Sequence, residues 1–549
     1  MDNQTKQCQN CKQDFTIEPV DFEFYEKIKV EAPKDCFHCR LQKRLAFWPF
    51  AKFNKRKCDF SGENIISIHS SKARFPVYKV NYWNSDKWEP AEAEYDLNRP
   101  FFDQLYELQA KVPRPHQFGT NNQDCDYSED VWDSKNCYLC RHLLNCENLS
   151  YSYRTVRCRD SYDLTYCYDM EKSFDCTYCF KNYNIHYAFD VRDSFDGWFL
   201  YDCKNVRNCF MCWNLRNKEY YILNQPYSKE TYFEKLKEYN LNSWNSVQFY
   251  KKQFTNLIKN EAIHKTNYNI KTVNSSGNFL TECKDCQNSY FFETSENCAY
   301  IFRGLSSKDA YDSNGILKGE LIYNVMQLTE GYNLKNSIFC TNCRDSEYLD
   351  FCTNCDNCFG CVGLKNKSCC ILNKQYSKED YNILKDKIKE AMQKDGLVDN
   401  FFPYKMAYGG YNLSFSGILF PKAKEEVAKM GSFWEEFEEA DYSKLTISPF
   451  IDDVKDAPAD IYQKVFVCED SNRLFNIKKD ELEFYRSHQI PLPHYYPDTR
   501  TMKRVVELTH IDPTSEKCFF CQKDIISYYP KEWEYKKIAC EGCYLKEVA

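Results

Sequence analysis

The chain has 549 residues, of which 43% are hydrophobic and 17% aromatic, so it can bury several cores and is not intrinsically disordered. A formal net charge of −7 argues against a protein that binds nucleic acid through overall positive charge. No apolar run reaches the roughly 20 residues that cross a bilayer, so we expect no membrane association.

The start of the chain is polar and leads directly into a cysteine motif at Cys8, which leaves no room for a signal peptide. We therefore expect a cytoplasmic protein. Because thiols stay reduced in that compartment, the 32 cysteines indicate metal ligands or buried thiols in preference to disulfides.

Two Cys-x-x-Cys pairs form the first motif, Cys8 with Cys11 and Cys36 with Cys39. This spacing suits a tetrahedral zinc site of four thiolates. The stretch between the pairs is apolar enough to cover a core too small to fold without its metal. We predict a structural zinc ion here.

The same residues carry a family resemblance. The pattern C-x-x-C-x-x-x-F-x-I, then D-x-x-F-Y, then P-x-x-C-x-x-C-R resembles the probable zinc-ribbon domain family over the first 40 residues. The resemblance implies that the four cysteines are zinc ligands, and it implies no reaction. The whole chain resembles larger bacterial proteins that carry several such ribbons around a Cys/Tyr-rich middle.

A basic stretch interleaved with aromatic residues follows this motif. Its strongest candidates for contacting nucleic acid are Arg40, Lys43, Arg44, Lys55, Arg56 and Lys57. Basic and aromatic side chains together are typical of surfaces that bind single-stranded nucleic acid. A solvated, partly amphipathic linker has the same composition, so both interpretations stay open.

The segment from Asp133 to Ser228 has a 12-residue register. Its turn-favouring frame residues are Asn136, Asn148, Asp160, Lys172, Asn184, Asp196 and Asn208. Aromatic residues stand two positions after six of these seven, and small or apolar residues stand four positions after all of them. Because both positions lie on one face of a strand, the pattern predicts a β-solenoid in which like residues stack between coils.

A second copy of this segment follows 149 residues later, since Asn208–Tyr232 and Asn357–Tyr381 match at 15 of 25 positions. Its steps alternate in places between nine and twelve positions, which favours a coil of about 21–24 positions with two similar sides. Its frame residues lie near Asn288, Asn297, Asp309, Glu320, Asn336, Asp345 and Asn357. Each copy ends in Tyr-Ser-Lys-Glu, which predicts a Ser N-cap and a capping helix around Lys229–Tyr239 and Lys378–Met392.

Twenty-two cysteines fall in these two copies, and the densest run is Cys352, Cys355, Cys358 and Cys361, preceded by Cys340 and Cys343. In register, cysteine alternates there with Ser, Leu and Ala, as expected of a small core residue. We interpret these residues as stacked core thiols, with extra metal sites and disulfides as alternatives.

A second Cys₄ motif, Cys518, Cys521, Cys540 and Cys543, predicts another structural zinc site. A shift of 460 residues places Cys8, Phe24, Arg40 and Arg44 on Cys468, Phe484, Arg500 and Arg504, so both ends carry one two-part module. The ligand positions survive in opposite halves. Ser471, Tyr496 and Thr499 replace three ligands in one degenerate half, and only Cys58 remains in the other.

These observations predict a mainly β protein with two tandem β-solenoids, helical caps and flanking zinc ribbons. The predicted order is a Cys₄ zinc ribbon in residues 1–50, a degenerate ribbon and linker in 51–120, a β-solenoid with its capping helix in 121–260, a second one in 261–400, a linker with a helical run over 422–439 in 401–465, a degenerate metal-free ribbon in 466–505, and a Cys₄ zinc ribbon in 506–549.

No nucleotide-binding, serine-hydrolase or metalloprotease motif is present, and only nine histidines occur, so we expect neither an enzyme nor a small-molecule substrate. The leading hypothesis is a non-catalytic scaffold with two zinc ions that binds a macromolecule, either RNA, a ribonucleoprotein or a protein. The alternative is a thiol-rich protein that stores metal or buffers redox state.

Overall fold

A computed structural model describes residues 2–50, 52–312, 314–317, 323–329, 335, 338, 340–341, 344–436 and 445–548. It is mainly β, as the sequence predicts. Two compact units divide the chain, and each combines two separate segments. Unit 1 contains Met1–Gln117 and Asn267–Glu435, and unit 2 contains Phe118–Thr266 and Glu436–Ala549.

Twelve α-helices lie in the described residues, and none is long and apolar enough to cross a membrane. They are α1 (Pro19–Ile28), α2 (Phe37–Leu45), α3 (Val80–Trp83), α4 (Phe101–Lys111), α5 (Lys229–Glu238), α6 (Trp244–Glu261), α7 (Lys378–Lys394), α8 (Phe415–Leu419), α9 (Lys424–Lys429), α10 (Lys479–His488), α11 (Pro497–Leu508) and α12 (Glu541–Val548).

Unit 2 contains a 12-stranded sheet, here called the unit 2 ladder. Its strands are Gly119–Thr120, Tyr127–Trp132, Tyr138–Leu144, Glu147–Ser150, Tyr153–Val156, Arg159–Glu171, Phe174–Thr177, Phe180–Phe189, Phe195–Tyr201, Arg207–Trp213, Glu219–Ile222 and Gln225–Pro226. The unit 1 ladder has a six-stranded and a three-stranded sheet. These strands are Gly277–Thr281, Ser289–Glu293, Phe302–Leu305, Ile316–Leu317, Leu328–Thr329, Cys340–Thr341, Asp356–Phe359, Ser368–Ile371 and Lys374–Gln375.

Strands of both ladders pair in parallel except for the last two of each, which form an antiparallel hairpin. In the parallel pairs a residue lies beside the one twelve positions later along the chain. Leu164 pairs with Cys176, which pairs with Ala188, and Tyr290 pairs with Phe302 in unit 1. The prediction of a coil of about 21–24 positions with two similar sides is therefore wrong, because the pairing repeats after twelve positions in both units. The alternating steps in the second copy arise because turns are more frequent than the predicted frame residues.

A left-handed backbone conformation recurs at every third residue from Asp130 to Tyr220. The predicted frame residues all have it where the structure describes them, which confirms their role in turns, whereas Glu320 and Asn336 lie outside the described residues. Bulky residues such as Leu139, Phe199 and Met211 also adopt it, although a positive φ is costly for them. Each 12-residue repeat thus contains four left-handed residues, here called corners, with two residues between one corner and the next.

Cysteines occupy the residue that directly follows a corner. In the unit 2 ladder all 11 cysteines stand there, and in unit 1 Cys283, Cys286, Cys298, Cys352, Cys355, Cys358, Cys361 and Cys370 do, whereas Cys369 is itself a corner. These residues point inward with Leu, Val and Ile and form one buried cluster in each ladder. Cys343 and the Cys340 side chain lie outside the described part of the chain.

The two helices predicted after the Tyr-Ser-Lys-Glu segments are confirmed, with their Ser N-caps. Helix α5 begins after Ser228, whose hydroxyl accepts a hydrogen bond from the Thr231 N–H, and α7 begins after Ser377, which accepts one from Asp380. The helical run expected over 422–439 is reduced to α9, which ends at Lys429, and residues 437–439 lie outside the described residues.

Four short antiparallel hairpins mark the ribbon modules. They pair Gln4–Gln7 with Asp14–Ile17, Asn54–Lys57 with Asn64–Ser67, Phe466–Val467 with Leu474–Phe475, and Thr514–Lys517 with Asp524–Ser527. In addition, a parallel strand pair joins the ribbon at residues 54–78 to the strand that follows α4, and another joins the C-terminal ribbon to the strand that follows α6. These pairs are Val77–Tyr78 with Arg114–Pro115, and Ile263–Lys265 with Lys537–Ala539.

Candidate metal centres

The four N-terminal cysteines predicted as ligands converge on one point. The Sγ atoms of Cys8, Cys11, Cys36 and Cys39 all lie within 4.8 Å of one another. The Cys11 and Cys36 sulfurs are 3.7 Å apart, and the Cys36 N–H donates to the Cys8 sulfur at 3.3 Å. A hydrogen bond with Cys39 lowers the pKa of Cys36 to about 5, which favours the thiolate that a metal requires. This group could hold a metal ion.

The C-terminal group has the same geometry. Cys518, Cys521, Cys540 and Cys543 also bring their sulfurs within 4.8 Å, and those of Cys521 and Cys540 are 3.7 Å apart. Burial opposes ionisation of Cys518, but N–H groups of Cys521 and Cys540 outweigh it and lower the pKa of Cys518 to about 6. Among the described residues these are the two groups of three or more such ligands.

One backbone turn recurs in all four ribbons, including the two that lack a full ligand set. The N–H of the first cysteine donates to the carbonyl five residues later, at 2.8 Å for Cys8 and Cys58 and 2.9 Å for Cys468 and Cys518. The residue four positions after that cysteine has a left-handed φ, for example Lys12 at 64° and Gly62 at 74°. The turn therefore forms without a second thiolate.

Hydrogen bonds satisfy the sulfur in the two degenerate ribbons. The Cys58 sulfur accepts from the N–H groups of Ser61 at 3.5 Å and Lys79 at 3.2 Å. The Cys468 thiol lies 3.9 Å from the Thr499 hydroxyl, which in turn donates to Ser471 at 3.4 Å. A hydroxyl network thus occupies the place of the missing ligands in residues 466–505.

Helix α2, which begins directly after Cys36 and contains Cys39, contacts the unit 1 ladder through a buried ion cluster. Arg40 Nε lies 2.6 Å from Asp312 Oδ2, and Arg44 Nη1 lies 3.5 Å from the other oxygen of the same carboxylate. Arg44 and Asp312 have no solvent exposure. Next to them, the Tyr300 hydroxyl donates to Asp21 at 2.8 Å, and Phe24 stacks on Tyr311 with ring centroids 3.7 Å apart.

Unit 2 repeats this contact residue for residue. Arg500 and Arg504 bind Asp163 at 3.1 and 2.8 Å, and the Tyr151 hydroxyl donates to Glu481 at 2.6 Å. The arginines are 460 positions after those of unit 1, and the ladder residues are 149 positions before. Both shifts seen in the sequence meet in this one interface, which we call the arginine dock. Neither aspartate stands out in the sequence, because Asp at a corner reads as an ordinary turn residue.

The basic stretch is divided by this arrangement. Arg40 and Arg44 are buried in the dock, which corrects the expectation that they face a nucleic acid. Arg56 bonds to Asp59, and burial lowers the pKa of the half-buried Lys43. Lys55 and Lys57 are exposed. Phe47, Trp48 and Phe50 of the same stretch are buried, so they offer no surface for stacking bases.

The inward thiols of the ladders use their hydrogens on the backbone. The Cys140 thiol donates to Tyr138 O at 3.3 Å, and Cys176 donates to Phe174 O at 3.4 Å. Ser173, at the same kind of position, donates to Glu171 O at 2.9 Å. Burial raises the pKa of Cys140 to about 12 and that of Cys146 to about 11, so both stay protonated at neutral pH.

The two Cys₄ groups are the part of the site that sequence spacing found, and the dock is the part it missed. Matching the 460-residue and 149-residue shifts against each other would have exposed the dock, since Arg40 and Asp312 are related to Arg500 and Asp163 by one shift each. Neither a scan of the chain against protein-family models nor a search of curated proteins returns a match, so the zinc-ribbon likeness of its ends rests on the ligand pattern and geometry described above.

Proposed function

We propose that the chain is a non-catalytic scaffold, stabilised by two zinc ions, that binds a macromolecular partner on the outside of a β-solenoid. Zinc suits the two Cys₄ groups because four sulfurs about 2.3 Å from a tetrahedral ion are about 3.8 Å from each other. The 3.7 Å separations are close to that value. The 12-residue parallel register with four corners supports a four-sided solenoid coil in each ladder.

The observation that carries this proposal is a file of partly or fully exposed side chains on the unit 2 ladder. It consists of Trp132, Leu144, Val156, Tyr168, Phe180, Arg192, Lys204 and Arg216, each paired with the next at the 12-residue offset. We call it the outer column. Trp132 and Leu144 are more than a third exposed, and Tyr168 and Phe180 are partly exposed. Aromatic residues and arginine are enriched where proteins bind partners.

The sequence differs at the corresponding positions of the unit 1 ladder. The positions 149 residues later are Thr281, Glu293, Leu305, Leu317, Thr329, Thr341, Thr353 and Lys365. Inward positions stay small or apolar in both ladders, because packing allows little else. The outer column of unit 2 places three aromatic rings and three bases in one file where packing does not require them. This favours a binding role for unit 2.

A protein partner fits the outer column better than RNA does. Arg192 and Arg216 bond to Asp190 and Asp202 at 3.1 and 2.9 Å, so acidic groups already neutralise two of its three bases. An RNA-binding face gains most of its affinity from unpaired cations. The expected interface therefore has aromatic residues at its centre and ion pairs at its rim.

Affinity capture from a cell extract, using the zinc-loaded full chain, tests this proposal. The variant Tyr168→Glu/Phe180→Glu should lose the partner, whereas Leu305→Glu/Thr353→Glu, on the corresponding face of unit 1, should keep it. Nuclease treatment should leave the captured protein in place. Loss on nuclease treatment would assign the face to a ribonucleoprotein, and equal capture by both variants would exclude the outer column.

The rival function, metal storage or redox buffering, is favoured by one observation. In the densest cysteine run, bonds from Cys352 and Cys358 lower the pKa of Cys355 to about 4. The scaffold requires two zinc ions per chain and slow reaction of the buried ladder thiols without denaturant. Metal analysis combined with native thiol titration decides between them, since a store would bind more metal and expose many thiols.

A further inference from the structure

Unit 2 contains a cavity whose counterpart in unit 1 is filled by the protein itself. The cavity, of about 470 Å³, lies between the unit 2 ladder, α6, the end of α11 at Glu507 and the segment from Glu532 to Tyr535. Its walls include the aromatic side chains of Phe189, Phe199, Tyr201, Phe254, Trp533 and Tyr535. A pocket of this size and lining suits a small organic ligand.

The two duplication shifts identify the corresponding place in unit 1. In the ladders, Tyr348 of unit 1 stands 149 positions after Phe199 of unit 2. In the helices the order is reversed, since Phe102 of α4 stands 149 positions before Lys251 of α6, and Phe47 stands 460 positions before Glu507. Phe402 fits among them, with ring centroids 5.7 Å from Tyr348 and 6.1 Å from both Phe102 and Phe47. Phe47 and Phe402 have no solvent exposure and Phe102 has 3%. Unit 1 therefore shows that this place accepts a phenyl ring.

Unit 2 replaces two of those phenylalanines with charged residues and leaves the place of the third ring open. Lys251 and Glu507 both line the cavity. Both of these side chains are exposed, as is that of Glu532, so the substitutions open this place to solvent on one side without burying a charge. The result is an aromatic-walled cavity with charged groups at its edge.

The charges around the cavity do not balance. Its two lysines are engaged, Lys251 with Asp175 at 3.0 Å and Lys259 with Glu534. Three carboxylates line the cavity, those of Asp175, Glu507 and Glu532, against the two lysines. Lys251, Arg504 and Lys503 lie near enough to Glu507 to favour its charged form. The surplus is therefore negative. An aromatic wall adds to this preference because ring faces attract cations.

We propose that this cavity binds an aromatic amine, with its ring in the place that Phe402 fills in unit 1 and its ammonium group near Glu507 and Glu532. This site is separate from the outer column, and it adds a small-molecule ligand that the proposed scaffold function does not require. A neutral or acidic compound with the same ring lacks the charge that the two carboxylates select.

Calorimetric titration of the zinc-loaded full chain with tryptamine tests the proposal, with indole-3-acetate as the probe of opposite charge. We expect one saturable tryptamine site and binding of indole-3-acetate that is at least about tenfold weaker. Glu507→Gln should weaken tryptamine about tenfold, and Glu507→Phe, which introduces the unit 1 residue, should abolish binding by filling the cavity.

Glu483→Gln is the matched control, because it removes the same charge from an exposed site of unit 2 that does not line the cavity. It should bind tryptamine like the original chain. Unchanged thermal unfolding and zinc content verify that each variant is folded, and Glu507→Gln keeps the test valid if Glu507→Phe is unstable. No tryptamine binding at millimolar concentration, or equal binding of both probes, would overturn the proposal.

Discussion

Units 1 and 2 are two versions of one design, and they differ in where the metal ligands survive. In unit 1 the Cys₄ group belongs to the ribbon that carries the arginine dock, since α2 begins directly after Cys36. In unit 2 the docking ribbon has lost its ligands, and the Cys₄ group lies in the other ribbon. The dock itself is the same in both. The unit 2 dock thus forms on a ribbon without a full ligand set, which a single copy would not have revealed.

The largest expected effect comes from removing a ligand on each side of this comparison. Cys36→Ser and Cys540→Ser should each reduce bound metal from two ions to one. Because a small ribbon depends on its metal for folding, Cys36→Ser should also release α2 and weaken the unit 1 dock, whereas Cys540→Ser should spare α11. Metal analysis and hydrogen exchange of the two helices check this. Loss of protection of α11 in the Cys540→Ser variant would contradict the independence of the unit 2 dock from metal.

The unit 1 dock should be the more sensitive of the two. Asp312→Asn removes the carboxylate that pairs with both Arg40 and Arg44, at an expected cost of about 3–5 kcal/mol in the free energy of unfolding. Asp163→Asn should cost less, because Arg500 keeps Glu481 at 3.5 Å and Arg504 keeps Asp175 at 3.3 Å. Chemical denaturation measures the cost. Asp309→Asn and Asp160→Asn, at the corresponding corners of the two ladders, are the controls and should each cost under about 0.5 kcal/mol. Equal costs in the two units would contradict this ranking.

Corner residues should contribute less. Asn148 donates to Asp160 at 2.7 Å, accepts from Asn136 at 2.9 Å and has a φ of 54°. Asn148→Ala removes both bonds and places alanine in a strained conformation, so we expect a loss of about 1–2 kcal/mol. Asn366→Ala in unit 1 breaks one such bond and should cost less. Denaturation midpoints of the two variants rank them.

The smallest effect should follow from exchanging inward residues between the copies. Cys140 corresponds to Ser289, and each donates to the carbonyl two residues earlier. Cys140→Ser and Ser289→Cys should therefore each change stability by about 1 kcal/mol or less. Cys140→Asp, which buries a charge, should be much worse and serves as the control. A large effect of Cys140→Ser would point to a metal or redox role for the ladder thiols.

The sequence predicted those features that repeat in a simple way. Spacing alone located both Cys₄ groups, and Asn and Asp at the frame positions located one of the four corners in each 12-residue repeat. It missed the other three corners because residues such as Leu139, Phe199 and Met211 occupy them, and these carry no turn signal. The hydrogen-bonded ladder holds them in a conformation that their intrinsic preference opposes.

Long-range pairing was beyond the reach of pattern alone. Nothing local to Arg40 or Arg44 specifies Asp312, which is about 270 residues away and looks like a turn residue. For the same reason the basic stretch was interpreted as a surface. Its cations and aromatic rings are suited to burial only because a ladder far along the chain supplies the counter-charge and the apolar wall.

The discontinuous make-up of the two units also affects how the protein is made. When the first 117 residues leave the ribosome, the next 149 belong to the other unit, so roughly 7–30 seconds pass at 5–20 residues per second before their own ladder begins. The unit 2 ladder waits longer for Arg500 and Arg504. During synthesis Asp163 therefore has no partner in Arg504, 341 positions later, until the last part of the chain has been made.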